Sequence, residues 1–251
     1  MRTKHLATTL SALAGFTAIL AAATPAAAAD LGGGLTINGG ATIVSDYRYR
    51  GISQSDRRFA VQGTFSIGHE SGFYATAWSS SIDDYVASGA DQELDLVFGY
   101  RTTFGGTTVD AGVTYYYYPG AGTGNTDFYE PYVSVSHTFG PVTAKASAAY
   151  APEQASLTVG DGDEDNLYLA GDFTVAVPST PVSLTAHVGH SWGPSYITVG
   201  EEYTDWSLAA SVTHNNLTAS VAYVDTDARF ITPSGRDAAG AGVVASVGVS
   251  F

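Results

Sequence analysis

The fold of this chain is decided by one stretch near its middle, which reads Glu93-Leu94-Asp95-Leu96-Val97-Phe98-Gly99-Tyr100-Arg101. Large apolar side chains occupy every even position, whereas the charged side chains all fall on odd positions. Successive side chains of a β-strand point to opposite faces of its sheet, so this alternation predicts a strand with one apolar and one polar face.

The same alternation recurs along almost the whole chain, in twelve segments joined by connections that are alternately long and short. The segments are residues 35–47, 59–67, 73–82, 93–101, 109–118, 130–139, 142–150, 167–175, 182–188, 205–212, 217–223 and 243–251. The long connections are residues 48–57, 83–92, 119–126, 152–165, 193–202 and 225–240. The short ones are residues 69–72, 104–106, 140–141, 178–181 and 214–216.

Loops sorted by length are typical of outer-membrane barrels, which have short periplasmic turns and longer external loops. In lipid a β-structure must close on itself, because every backbone polar group needs a partner. The alternative is a soluble, secreted β-sandwich, but its water-facing side would be rich in charge, and here that side is mostly Ser, Thr, Gly and Tyr. We therefore predict an all-β fold, a transmembrane antiparallel up-and-down β-barrel of about twelve strands with short periplasmic turns and long extracellular loops.

The composition of the 251-residue chain excludes several classes of protein. With 10 Lys and Arg against 24 Asp and Glu, the net charge of -14 opposes binding to nucleic acid. The absence of Cys excludes disulfides and thiolate metal sites. No motif for a metal or a cofactor occurs, and we expect neither.

The N-terminus has the order of a secretory signal peptide. Arg2 and Lys4 precede a weakly polar to apolar run, and small residues follow up to Ala29. An N-terminal membrane anchor is the alternative. We predict a cleaved signal peptide, residues 1–29, and a single barrel domain, residues 30–251, located in the outer membrane of a Gram-negative bacterium.

Aromatic residues lie near the ends of the predicted strands on the apolar parity, where girdles form at the membrane interfaces. They are Tyr47, Tyr100, Tyr115, Tyr117, Phe139, Tyr150, Trp206 and Tyr223. The C-terminus, with Val247, Val249 and Phe251 at alternate positions, resembles the C-terminal signal of bacterial outer-membrane proteins. That resemblance implies recognition by the barrel-assembly machinery, although an ordinary last strand is the alternative.

Nine charged residues fall on the parity that faces the lumen if the apolar parity faces lipid. They are Asp46, Arg48, Arg50, Asp95, Arg101, Asp110, Glu130, Lys145 and Asp172. They either form ion pairs that brace a plugged interior, or form an eyelet in which arginines face carboxylates across a narrow pore. Inward tyrosines narrow the lumen further, and acidic external loops predict mild cation selectivity. The inward tyrosines are Tyr116, Tyr118, Tyr132 and Tyr168.

One motif carries a family resemblance. It comprises Ser45, Asp46, Tyr47, Arg48, Arg50 and Gly51 within the stretch 45–54. Together with the stretches 69–74, 78–80 and 93–95, it resembles the TorF family of proteobacterial outer-membrane porins. Tyr49 departs from the Phe expected there. The resemblance implies a barrel among outer-membrane lipid and lipopolysaccharide.

We predict a porin-like channel for passive diffusion of ions or small polar solutes. A structural or plugged barrel without conductance is the first alternative, and an outer-membrane barrel enzyme is the second. His187 lies on the lumen parity near Ser183 and Thr185, but no nucleophile motif accompanies it. We therefore expect no catalytic residue and no enzymatic activity.

Overall fold

The computed structural model describes residues 29–160 and 162–251. The predicted signal peptide lies outside these described residues except for Ala29. Among them, no helix is long and apolar enough to cross a membrane.

The described residues form fifteen strands and one 3-10 helix, Tyr196–Thr198. The strands are β1 (Ala29–Gly32), β2 (Leu35–Val44), β3 (Arg48–Tyr49), β4 (Ile52–Ser53), β5 (Ala60–His69), β6 (Phe73–Ser81), β7 (Gln92–Phe104), β8 (Thr107–Tyr117), β9 (Phe128–Phe139), β10 (Val142–Val159), β11 (Gly162–Ala176), β12 (Val182–Trp192), β13 (Tyr203–His214), β14 (Leu217–Thr226) and β15 (Gly242–Ser250).

Twelve of these strands, β2 and β5 to β15, form one closed antiparallel barrel. Each pairs with the next along the chain, and residues 246–250 of β15 pair with residues 40–44 of β2 to close the ring. The predicted all-β, twelve-stranded up-and-down barrel is therefore confirmed. β1 pairs with the first residues of β2, and β3 and β4 form a separate hairpin that is not part of the wall.

The two parities of the strands point to opposite sides of the wall. In β7, Phe98 is 59% exposed on the outside, whereas Asp95 is fully buried on the inside. Apolar side chains are similarly exposed along the other strands, from Ile43 of β2 to Val249 of β15. Exposed apolar surface on this scale is unfavourable in water. The outer wall is therefore suited to apolar surroundings.

The aromatic residues predicted on the outer face lie there, with one exception. Tyr47 is not on a strand, since β2 ends at Val44, and its side chain is 1% exposed and packs on the ring of Trp78 at 5.3 Å. The prediction for Tyr47 is wrong because the polar pair Ser45-Asp46 ends the strand and the chain turns inward. Asp46, Arg48 and Arg50 also come after the end of β2, and they belong to the loop that follows it, not to the barrel wall.

The fourth long connection is also different from the prediction. Residues 152–165 are not a loop, because β10 continues to Val159 and β11 begins at Gly162. β10 has 18 residues and β11 has 15, more than the roughly 9–11 that cross a bilayer, so the ends of these two strands extend past the wall. Backbone pairing such as Gln154 with Glu164 continues the sheet there, and the apolar side chain of Leu157 is buried in a cluster with Tyr47 and Ile197 and is not exposed like the apolar side chains of the wall.

The C-terminal residues close the barrel wall. Phe251 and Gly39 exchange both backbone hydrogen bonds, at 2.8 and 2.9 Å. A Cβ atom on Gly39 would lie 2.8 Å from the ring of Phe251, so the ring is seated on a glycine. Val247, Val249 and Phe251 are exposed on the outer face.

Candidate functional site

The loop between β2 and β5, residues 45–59 and here named L1, folds into the barrel. β3 and β4 pair as a hairpin, Arg48 with Ser53 and Tyr49 with Ile52, around the turn Arg50-Gly51. Both turn residues have positive φ, 47° and 82°. Two such residues in succession are typical of the tight turn that matches the twist of a hairpin. A left-handed conformation is unfavourable for Arg, so contacts of the side chain must hold Arg50 there.

The tip of L1 is packed against β13 and β14. A Cβ atom on Gly51 would overlap Cγ2 of Thr226 and would lie 3.0 Å from Cβ of Asp205. Only glycine combines this close approach with the positive φ. The packing of the L1 tip therefore requires glycine at position 51.

Arg50 reaches the opposite wall of the barrel. Its Nη2 donates to Oε1 of Glu130 on β9 at 2.6 Å, and its Nη1 donates to Oδ1 of Asn166 on β11 at 2.7 Å. The guanidinium also lies 4.2 Å from the ring centroid of Tyr168. β9 and β11 flank β10, which is opposite β2 in the ring of twelve strands. L1 thus spans the lumen, and Arg50 is fully buried.

The base of L1 is held by Asp46 and Arg48. Asp46 accepts hydrogen bonds from Nε of Arg48 at 2.7 Å and from Oγ of Ser53 at 2.5 Å. Nη1 of Arg48 donates to the carbonyl oxygens of Gly51 and Gly240, each at 2.9 Å. Arg48 therefore links the hairpin to the last long loop, residues 227–241, which we name L6.

A second set of bonds joins L1 to L6 at the carboxylate of Asp56. Thr232 and Ser234 donate to its Oδ1 at 2.8 and 2.9 Å, and Arg236 donates to its Oδ2. Burial raises the pKa of Asp56, but the three hydrogen bonds and the charge of Arg236 lower it by more. The pKa of Asp56 therefore lies below the ordinary value for an aspartate. Asp56 is consequently ionised at neutral pH and fixes L6 over L1.

Two further loops complete the cover on this side of the barrel. The hydroxyl of Tyr85, in the loop of residues 82–91, donates a hydrogen bond to the carbonyl oxygen of Ser53. Burial is the main cause that raises the pKa of Tyr85 to about 12. Asp83 of the same loop pairs with Arg58 of L1. Tyr196 donates to the carbonyls of Tyr85 and Val86 at 3.2 and 3.1 Å. The loops thus hold one another above the L1 hairpin.

Two polar clusters line the wall below L1. In the first, Arg101 of β7 binds Oδ2 of Asp110 on β8 through Nε at 3.0 Å and Nη2 at 2.6 Å, and Tyr74 donates to Oδ1 at 2.7 Å. This pair joins adjacent strands, since Arg101 and Asp110 are register partners.

The second cluster is built on His187 of β12. Its Nδ1 lies 2.7 Å from Oδ1 of Asp172 on β11, and its Nε2 lies 3.1 Å from Oδ1 of Asp205 on β13. The hydroxyl of Tyr168 is 3.0 Å from both Nε2 of His187 and Oδ2 of Asp205. Lys145 on β10 is the register partner of Asp172.

A pair of carboxyl groups, Glu93 and Asp95, stands apart from these clusters. Both belong to the inward face of β7 and are buried. Within residues 29–160 and 162–251, the oxygens of Asp95 meet no hydrogen-bond donor other than the neighbouring Glu93 carboxyl. A hydrogen bond between two carboxyl groups requires that one of them is protonated, so the pair carries at most one negative charge, and among the described residues it forms no ion pair with a basic side chain.

Six of the nine charged residues predicted for the lumen meet as three ion pairs. These are Asp46 with Arg48, Arg50 with Glu130, and Arg101 with Asp110. Lys145 and Asp172 are cross-strand neighbours, and Asp95 pairs with another acid. The sequence prediction did not include Glu93, Asn166 or Asp205, although Asp205 lies on the polar parity of its strand together with Ser207 and Ser211. Whether the charges act as an eyelet remains a prediction.

The sequence matches one family model over most of its length. This is the model of Gcw_chp, described as a bacterial protein of unknown function, and the match covers residues 27–251. No curated protein is similar enough in sequence to match the chain.

Solved structures of similar fold are membrane proteins. The NanC porin superposes with a TM-score of 0.57 at 14% identity, over 86% of this chain and 98% of the porin. A protein solved in a study of in-meso crystallization of membrane proteins superposes with a TM-score of 0.52 at 8% identity, over 85% of this chain and 83% of the other. At these identities the likeness concerns the barrel fold.

Proposed function

The chain belongs to the Gcw_chp family of bacterial proteins of unknown function, and we propose that it is a narrow porin-type channel of the bacterial outer membrane, constricted by L1. The observation that carries the proposal is the passage of L1 through the lumen, with Arg50 bound to the opposite wall. Ions or small polar solutes would pass beside or beneath this hairpin.

The location in the outer membrane is supported by the outer wall and by the likeness of fold. Exposed apolar side chains cover the strands, and the NanC porin shares the architecture. The resemblance of the stretch 45–54 to TorF porins and the predicted signal peptide agree with this location. Lipid and lipopolysaccharide would then surround the barrel, and the barrel-assembly machinery would insert it.

A preference for cations is the second part of the proposal. It is supported by the acidic excess of the chain and, to a smaller extent, by the buried pair Glu93 and Asp95, whose carboxyl groups share a proton and so contribute at most one negative charge to the lumen. Negative groups in a narrow, weakly polar pathway attract cations and repel anions.

A plugged barrel without conductance is the alternative, and the complete burial of Arg50 favours it. We propose no catalytic role, because both ring nitrogens of His187 already face carboxylates, which is not the arrangement of a base beside a nucleophile.

Single-channel recording in a planar bilayer tests the proposal. The wild type is expected to give small discrete steps, and the double variant Arg50→Ala/Glu130→Gln is expected to give larger ones. Removing both charges breaks the bond between L1 and the opposite wall without leaving Glu130 buried and unpaired, a situation that costs about 3–5 kcal/mol in buried ion pairs. Arg229→Ala, on the exposed part of L6, is the matched control and should conduct as the wild type.

Two outcomes would count against the channel. Silence of the wild type together with silence of the double variant would favour the plugged barrel. Equal conductance of the wild type and the double variant would show that L1 does not constrict the pathway.

A further inference from the structure

We propose that His187 positions L1 in the lumen and makes the closure by L1 depend on pH. The inference rests on the proposed function, because it assigns a regulation to the same constriction. It starts from the position of His187, which lies between two carboxylates from neighbouring strands and is connected to the tip of L1 by further contacts.

The carboxylates face both sides of the imidazole ring. Asp172 lies 2.7 Å from Nδ1 and Asp205 lies 3.1 Å from Nε2. A carboxylate only accepts hydrogen bonds, and only the imidazolium form of histidine carries an N–H group on both nitrogens. The observed geometry therefore suits the protonated ring, which satisfies Asp172 and Asp205 together.

Asp205 and Tyr168 connect this ring to L1. Asp205 lies directly under the tip of L1, where a Cβ atom on Gly51 would be 3.0 Å from its own Cβ. The hydroxyl of Tyr168 donates to Oδ2 of Asp205 at 3.0 Å. Cζ of Arg50 lies 4.2 Å from the centroid of the Tyr168 ring. Both side chains that bind His187 on this side therefore contact the L1 tip.

Loss of the proton changes these bonds in a defined way. A neutral ring that keeps its donor toward Asp172 presents a lone pair at Nε2. Asp205 then loses its bond from His187, and the hydroxyl of Tyr168, equally distant from Nε2 and from Asp205, gains a competing acceptor. Asp205 is left as a buried carboxylate with fewer donors, which is unfavourable. The contact surface for Gly51 and Arg50 is thereby weakened.

The other charged groups around His187 do not compensate for this loss. From β11 the ring faces Asp172 and Tyr168, and from β13 it faces Asp205. Lys145 of β10 is the register partner of Asp172, on the side away from Asp205. Arg50 of L1 is engaged with Glu130 and Asn166. The effect of deprotonation therefore falls on Asp205.

Conductance as a function of pH tests the inference. Between about pH 5 and pH 10 we expect the open fraction of the wild type to rise with one titration step, by roughly tenfold, as expected for loss of one hydrogen bond to a charged group. In His187→Gln the step is absent and the open fraction stays high. His190→Gln is the matched control, because His190 lies on the same strand, faces outward and binds Thr204 at 2.9 Å. It should keep the wild-type profile.

A second readout does not depend on conduction. The chain has no Cys, so Ile52→Cys places a single thiol in the buried part of L1. Its reaction with a water-soluble maleimide should be accelerated by His187→Gln at neutral pH, relative to the same thiol beside His190→Gln. If His187→Gln accelerates labelling in a barrel that never conducts, the result contradicts the proposed channel but supports the role of His187 in holding L1.

Conversely, a conducting wild type whose pH profile survives in His187→Gln would overturn the inference and leave the channel intact. Equal labelling rates of the thiol at position 52 in His187→Gln and in His190→Gln would also overturn the inference.

Discussion

Gly51 is the residue of the L1 tip that tolerates substitution least. It combines φ of 82° with a close approach to Thr226 and Asp205. We expect Gly51→Ala to displace the tip from its seat and to raise the single-channel conductance and the labelling of a thiol at position 52. The strain of a left-handed Ala alone costs on the order of 1 kcal/mol, and the overlap with Thr226 adds to it.

Gly235 provides the matched control for this prediction. Its φ is 85°, but nothing lies within 4 Å of the position that its Cβ would take. Gly235→Ala therefore carries the backbone strain without the overlap. If both variants change conductance equally, strain and not the contact of the tip is responsible.

The hairpin formed by the ends of β10 and β11 is stabilised by Leu157. This side chain is fully buried and belongs to the same apolar cluster as Ile197 of the 3-10 helix. Leu157→Ala should destabilise the hairpin by about 2–5 kcal/mol, as observed for buried leucines, and leave the barrel intact. Limited proteolysis should cut the variant between residues 150 and 166, whereas Val159→Ala, which is only half-buried, should resist. Cleavage within the barrel wall instead would contradict this division.

The extent of β10 and β11 could not be predicted from apolar alternation. Beyond the wall the apolar alternation is interrupted, so Glu153, Gln154 and Glu164 gave a pattern typical of a solvated loop that the short apolar run of Leu157 and Val159 did not outweigh. The barrel strands were predictable because one face of each is apolar along its length. L1 was predictable as a connection but not as a hairpin in the lumen, because the direction of a loop depends on partners such as Glu130 and Asn166, which are 80 and 116 residues away.

At the scale of the whole molecule, negative charge is divided between the lumen and the projecting hairpin. Glu93→Gln/Asp95→Asn removes the single charge that this proton-sharing pair can carry, and should reduce the preference for cations in reversal-potential measurements, because a charge in a narrow, buried pathway is screened weakly. Asp163→Asn/Glu164→Gln removes two charges from the hairpin and should have a smaller effect. A clear anion preference of the wild type would contradict the proposed selectivity. A larger effect of Asp163→Asn/Glu164→Gln than of the lumen variant would show that the charges that select cations lie outside the lumen.

The joint between β15 and β2 has a consequence for the order of folding. Every other pair of neighbouring wall strands is joined by a connection close by in the sequence, whereas this joint brings together residues 200 or more positions apart, residues 39–45 with residues 245–251. Contacts between distant residues carry the largest entropic cost of loop closure and form slowly. A curved, open sheet of hairpins should therefore precede the cylinder, and the Phe251–Gly39 bonds would be among the last to form. Until then both edge strands expose unpaired backbone, which makes this joint the step most exposed to misassembly.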